Sequence, residues 1–149
     1  MTEKRILIID DLMVARSFKN SLFRDLEGVV IDTHTDFNNV GLINGVYDLV
    51  ITDPMSYATG IMKCDDFYLD TLKGLQSKGA HLCFISTQEK DVIDILIHGI
   101  ESEHSYALKP LDRFVLTKYV GRFLDVSLKL DRIVDDIPDD YCFGPVFQD

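Results

Sequence analysis

Apolar positions along the chain fall into two alternating patterns. Short runs, unbroken or alternating, occur at "RILIID" (5–10), "VVIDTH" (29–34), "YDLVITD" (47–53), "AHLCFIS" (80–86) and "HSYALK" (104–109). They are β-branched or aromatic and bounded by Gly, Asp or Pro, which marks them as strands. The first, third and fourth are nearly continuous, as expected of strands covered on both faces of a parallel sheet. Between the runs, apolar residues recur at helical spacing. Val14, Phe18, Leu22 and Leu26 predict a helix over 13–26, closed by Gly28. Phe37, Val40 and Ile43 predict a weak one over 36–44, disfavoured by Gly41 and two Asn. Tyr68, Leu69, Leu72 and Leu75 mark 65–78; Val92, Ile93, Leu96 and Ile97 mark 89–98; Leu111, Phe114, Val115, Tyr119, Phe123 and Leu124 mark 111–124. Five strand–helix pairs in succession predict an α/β fold, with a parallel sheet, right-handed crossovers and helices on both faces.

The pattern loses clarity after about residue 125. "DVSLKLD" alternates like a strand at Val126, Leu128 and Leu130, while Leu130, Ile133, Val134 and Ile137 suit a helix. The chain is therefore divided into a domain over 1–124 and an acidic, aromatic tail over 125–149. The tail either folds over its own domain or serves as a docking or dimerisation segment.

Charge narrows the function classes. The net charge is −10, and the tail holds seven Asp against two basic residues, about half of that total. The charge argues against nucleic-acid binding by the chain itself, because phosphate contact needs clustered Lys and Arg. A hard cation or a basic protein partner suits an acidic chain better. The 149 residues suffice for one domain with a real core. No run is long enough to span a bilayer and no secretory signal opens the chain, so the expected location is cytoplasmic. Cys64, Cys83 and Cys142 lack metal-ligand spacing and read as three reduced thiols.

Candidate chemistry lies at the ends of the strands. In an open parallel sheet, ligands bind beyond the carboxyl ends of the strands. Here strand one ends in Asp10 and Asp11, strand three in Asp53, strand four in Ser86 and Thr87, and strand five in Lys109 and Pro110. Adjacent carboxylates repel each other, and a bound cation would let both stay ionised. Mg²⁺ takes one or two carboxylates plus waters and a phosphate oxygen. A carboxylate can be the nucleophile of phosphoryl transfer, while a lysine and a hydroxyl neutralise and bind the phosphoryl oxygens. Each residue also has a plain structural use: Asp11 or Ser86 can cap a helix, and Lys109 can be a solvated loop residue.

In order and spacing these residues resemble the receiver domain of two-component response regulators, especially stand-alone, chemotaxis-type (CheY-like) receivers. The resemblance covers about residues 4–124. "IIDDLMVAR" is similar to the family's acidic pair, with Arg16 at a commonly basic position. "DLVITD" is similar to the strand carrying the phosphoacceptor, "CFIS" to the strand ending in the switch hydroxyl, and "SYALKP" to the fifth strand. The resemblance implies a flavodoxin-like (βα)5 sandwich of strand order 2-1-3-4-5. It also implies phosphorylation of Asp53 by a histidine kinase or phosphotransfer protein, with Mg²⁺ held by Asp10, Asp11, Asp53 and the Met55 backbone carbonyl. Lys109 would pair with the phosphoryl group, Ser86 and Tyr106 would switch, and the Lys109–Pro110 bond would be cis. Such a chain is not a conventional enzyme; autodephosphorylation is the turnover open to it. Output to a downstream protein, or a homodimer, would use the fourth helix, fifth strand and fifth helix; the tail is the other dimerisation candidate.

Two positions depart from the family. Pro54 directly follows the acceptor and removes an amide donor beside it. Thr87 stands where the family prefers Ala or Gly, and a β-branched residue there would narrow access to Asp53. Both favour the alternative of a pseudo-receiver, the same fold used as a protein-interaction module with little or no phosphorylation. A related metal-dependent phosphatase would need Asp-x-Asp after strand one, and a nucleotide-binding domain would need a Gly-rich turn there. Neither is present.

Overall fold

A computed structural model describes residues 3–35, 43, 45–55, 65–100, 103–129 and 147–148. Its strands are β1 (Lys4–Ile9), β2 (Val29–His34), β3 (Leu49–Thr52), β4 (His81–Ser86), β5 (His104–Leu108) and β6 (Phe147–Gln148). Its helices are α1 (Leu12–Asp25), α2 (Asp66–Ser77), α3 (Lys90–Leu96) and α4 (Arg113–Leu124). The helix expected over 36–44 falls almost wholly outside the described residues, as do Cys64, Cys142 and most of the tail.

The sheet order is β2-β1-β3-β4-β5-β6. The five expected strands pair in parallel in the expected order, and β6 joins β5 antiparallel. Alternation sends successive strand residues to opposite faces. Ile6, Ile8, Leu49, Ile51, Cys83, Ile85 and Ala107 meet Phe18 and Leu22 of α1 and Leu116, Val120 and Leu124 of α4. Leu7, Ile9, Val50, Leu82, Phe84 and Tyr106 meet Tyr68, Leu69 and Leu72 of α2 and Ile93 of α3. The near-continuous runs at β1, β3 and β4 thus feed two cores, one on each face. Each fully buried Leu or Ile contributes about 1.5–3 kcal/mol.

The start of the tail packs back on the domain. Asp125 ends α4 in the left-handed conformation, Leu128 bridges to Leu26, and Val126 and Leu128 join the α1–α4 core. No helix among the described residues is long and apolar enough to cross a membrane.

Candidate phosphoacceptor site

The carboxyl ends of β1, β3 and β5 converge on one ammonium group. Asp10 directly follows β1, Asp53 follows β3 and Lys109 follows β5. Lys109 Nζ donates to Asp10 Oδ2 at 2.9 Å and to Asp53 Oδ2 at 2.8 Å. Both acids are buried, 0% and 2% exposed. Burial alone would lower the Lys109 pKa, but the two carboxylates outweigh it and hold the ammonium above its ordinary value. Local backbone fixes the remaining oxygens. Asp10 Oδ1 accepts from the Asp11 amide at 2.8 Å, and Asp53 Oδ1 accepts from the Met55 amide at 2.8 Å. The second bond closes an Asx-type turn through Pro54, whose fixed φ suits the middle of such a turn. The proline therefore aims the carboxylate while it removes a donor.

Asp11 takes the structural role open to it. Its Oδ1 accepts from the Val14 amide at 2.9 Å and caps α1. Ser86 ends β4 fully buried, and its Oγ accepts from the Gln88 amide at 3.2 Å. Its carbonyl accepts from the Lys109 amide at 2.7 Å, which ties β4 to the cis Lys109–Pro110 bond. Tyr106 is buried, and its hydroxyl donates to the Gln88 carbonyl. Burial first, then Glu89 and Asp94, raises its pKa. Thr87 is exposed and lines an open groove of about 390 Å³ with Met13, Phe18, Lys109, Pro110 and Leu111. It stands at the rim of the site.

The structure thus brings Asp10, Asp53 and Lys109 into direct contact and joins Ser86 and Tyr106 to them through one loop. Gln88, the joint between those two, is invisible to a reading by residue type because its carbonyl makes the contact. Thr52 is a second residue not singled out. Its Oγ1 pairs with Tyr68 hydroxyl at 2.7 Å, beneath Asp53.

The donor set suits a divalent cation. Two buried carboxylates share the Lys109 ammonium, and Asp11 stands next to Asp10. Among the described residues, no three His, Cys, Asp or Glu side chains form a ready-made cage. Mg²⁺ does not need one, since it binds through one or two carboxylates and keeps several waters. The chemistry fits.

No family model matches the chain, and no curated protein does. Solved structures do. A two-component response regulator from Clostridium difficile superposes with a TM-score of 0.61 at 20% identity, covering 83% of this chain and 97% of that one. A CheY-like receiver domain protein from Methanospirillum hungatei gives 0.62 at 18%, over 83% and 95%. The chemotaxis response regulator CheY4 of Vibrio cholerae gives 0.61 at 15%, over 82% and 99%. The chain has the receiver fold. At these identities the likeness establishes architecture, and what the receiver site does here has to come from its own residues.

Proposed function

We propose that the chain is a phosphorylatable receiver of a two-component system, located in the cytoplasm, with Asp53 as acceptor. The observation that carries this is the Asp10–Lys109–Asp53 cluster at the carboxyl edge of a receiver fold. A carboxylate oxygen of Asp53 attacks the phosphorus of a phosphohistidine on a kinase or phosphotransfer protein. The O–P bond forms, the P–N bond breaks, and the imidazole leaves and takes a proton. Lys109 then redistributes its hydrogen bonds toward the phosphoryl oxygens, and the Ser86 hydroxyl supplies a further donor. Mg²⁺ held by Asp10, Asp53, Asp11 and the Met55 carbonyl would supply charge neutralisation at that edge. The donor protein has a place to dock. Met13 is 82% exposed beside the apolar groove that ends at Lys109, which suits a helix presenting its histidine. Output runs through the face of α3, β5 and α4, which contains Tyr106, to a downstream protein or a second copy.

One observation favours the pseudo-receiver reading. Asp53 is almost fully enclosed, and both its oxygens are engaged. The deciding experiment incubates the protein with acetyl phosphate and Mg²⁺ and follows intact mass. A phosphoryl adduct on the wild type, absent from Asp53→Asn, is expected. A wild type that gains nothing with donor and metal in excess establishes the pseudo-receiver instead.

A further inference from the structure

A five-stranded receiver sheet would leave β5 as an open edge, with unpaired amides and carbonyls ready to accept another strand. Here that edge is taken. β6 pairs antiparallel with β5, placing Gln148 opposite Tyr106 and Phe147 opposite Ala107. Two residues make a short strand beside the usual five or six, so the pairing is a contact that can release. Its location gives it consequence. Tyr106 hydroxyl bonds the Gln88 carbonyl, the Gln88 amide bonds Ser86 Oγ, and the Ser86 carbonyl accepts the Lys109 amide. Lys109 holds Asp53. A continuous run of hydrogen bonds therefore leads from the acidic cluster to the residue on which the tail is laid. Leu108, the last residue of β5, is exposed just past the paired positions.

We propose that Phe147–Gln148 is an intramolecular sixth strand that closes the β5 edge. A partner then meets a surface containing this chain's own tail, and an incoming strand finds the Tyr106–Ala107 part of the β5 edge already paired. Because β6 is laid against the backbone of buried Tyr106, whatever favours that placement of the tyrosine favours the strand, and the reverse holds by linkage. The closure needs no phosphoryl chemistry; its coupling to Asp53 rests on the receiver reading above.

Hydrogen exchange on the full chain tests the closure without any phosphodonor. The double variant Phe147→Pro/Gln148→Pro keeps the chain length and removes both backbone donors of β6. Those amides of β5 that face β6 rather than β4 are expected to exchange at least about tenfold faster in it, with β1 and β3 unchanged; a chain shortened to residue 146 should match. Equal rates in wild type and variant overturn the proposal. So does wild-type protection that disappears on dilution, because the strand then comes from a second copy. Beryllofluoride with Mg²⁺ tests the coupling, and weaker binding by the proline variant is expected. Equal or tighter binding removes the coupling. A wild type that binds no beryllofluoride removes the receiver reading and leaves the exchange result to decide the strand.

Discussion

Lys109 draws together two buried acids that would otherwise repel each other. Its ammonium satisfies one oxygen of each. Lys109→Ala removes the ammonium shared by two buried carboxylates and is expected to destabilise the fold by about 3 kcal/mol, read from the urea midpoint. Adding Asp53→Asn should recover part of that loss, because one of the two carboxylate charges is then gone. These three residues were legible in the sequence because they close three different apolar strands, where each alone would have a plain structural use. Asp25 was not. It follows Phe18 and Leu22 on the buried face of α1, is 0% exposed, and is held by Arg113 at 3.0 Å and Arg24 at 3.4 Å. An acid at helical spacing inside an apolar stripe was the available signal, but its partner lies 88 residues away and no local pattern announces it. Asp25→Ala should cost about 1–2 kcal/mol in the same assay, since it removes the acceptor of Arg113 at the α1–α4 contact while the guanidinium, on a side chain 39% exposed, keeps access to water.

At the scale of elements, the strands and helices were legible because both cores are built from regular periods. Among the described residues, expected and observed spans differ by at most two residues at their ends, and at the helix starts capping decides. Asp11, Asp65 and Asp112 each accept a helix amide and set the starts of α1, α2 and α4. For Asp11 the capping role and the expected ligand role compete for one side chain. Gly28 was read as the stop after α1, and the structure shows why. It is left-handed, with φ of 67°, between α1 and β2. A Cβ there meets nothing within 4 Å, so Gly28→Ala tests the backbone alone and should cost about 1–2 kcal/mol in thermal unfolding. β6 was not legible. Two residues carry no period, and "PVFQD" differs little from the mixed text before it. Only the register with β5 identifies it as a strand.

Across the whole molecule, the two ends of the sheet carry different chemistry. At the end opposite the acidic cluster, Tyr47 hydroxyl donates to Asp32 at 2.8 Å, and Arg5 pairs with the same carboxylate at 3.1 Å. Burial first, then the Asp32 hydrogen bond, pushes the Tyr47 pKa from 10.0 up to about 12. The fold therefore holds the protonated phenol, while the unfolded chain releases that proton near 10. Stability should fall as pH rises from about 10 to about 12, and Tyr47→Phe should remove that component of the alkaline transition. At the acidic end, the groove beside Lys109 makes a prediction about partners. Met13→Glu should slow phosphoryl transfer from a protein donor about tenfold or more and leave acetyl phosphate labelling unchanged. Equal slowing with both donors would place Met13 in the chemistry instead.

The antiparallel return of the chain onto β5 also bears on how the protein is handled. A label or fusion partner appended after Asp149 sits immediately beyond β6 and beside the edge that strand closes. It would compete with, or sterically peel away, the pairing that covers Tyr106. β1 begins at Lys4, whose amide is tied to the Gly28 carbonyl, at the end remote from Asp53 and Lys109. Affinity tags and fluorophores for interaction assays belong before β1. A partner captured only with carboxy-terminally tagged protein would be reporting on an edge that the tag itself had opened.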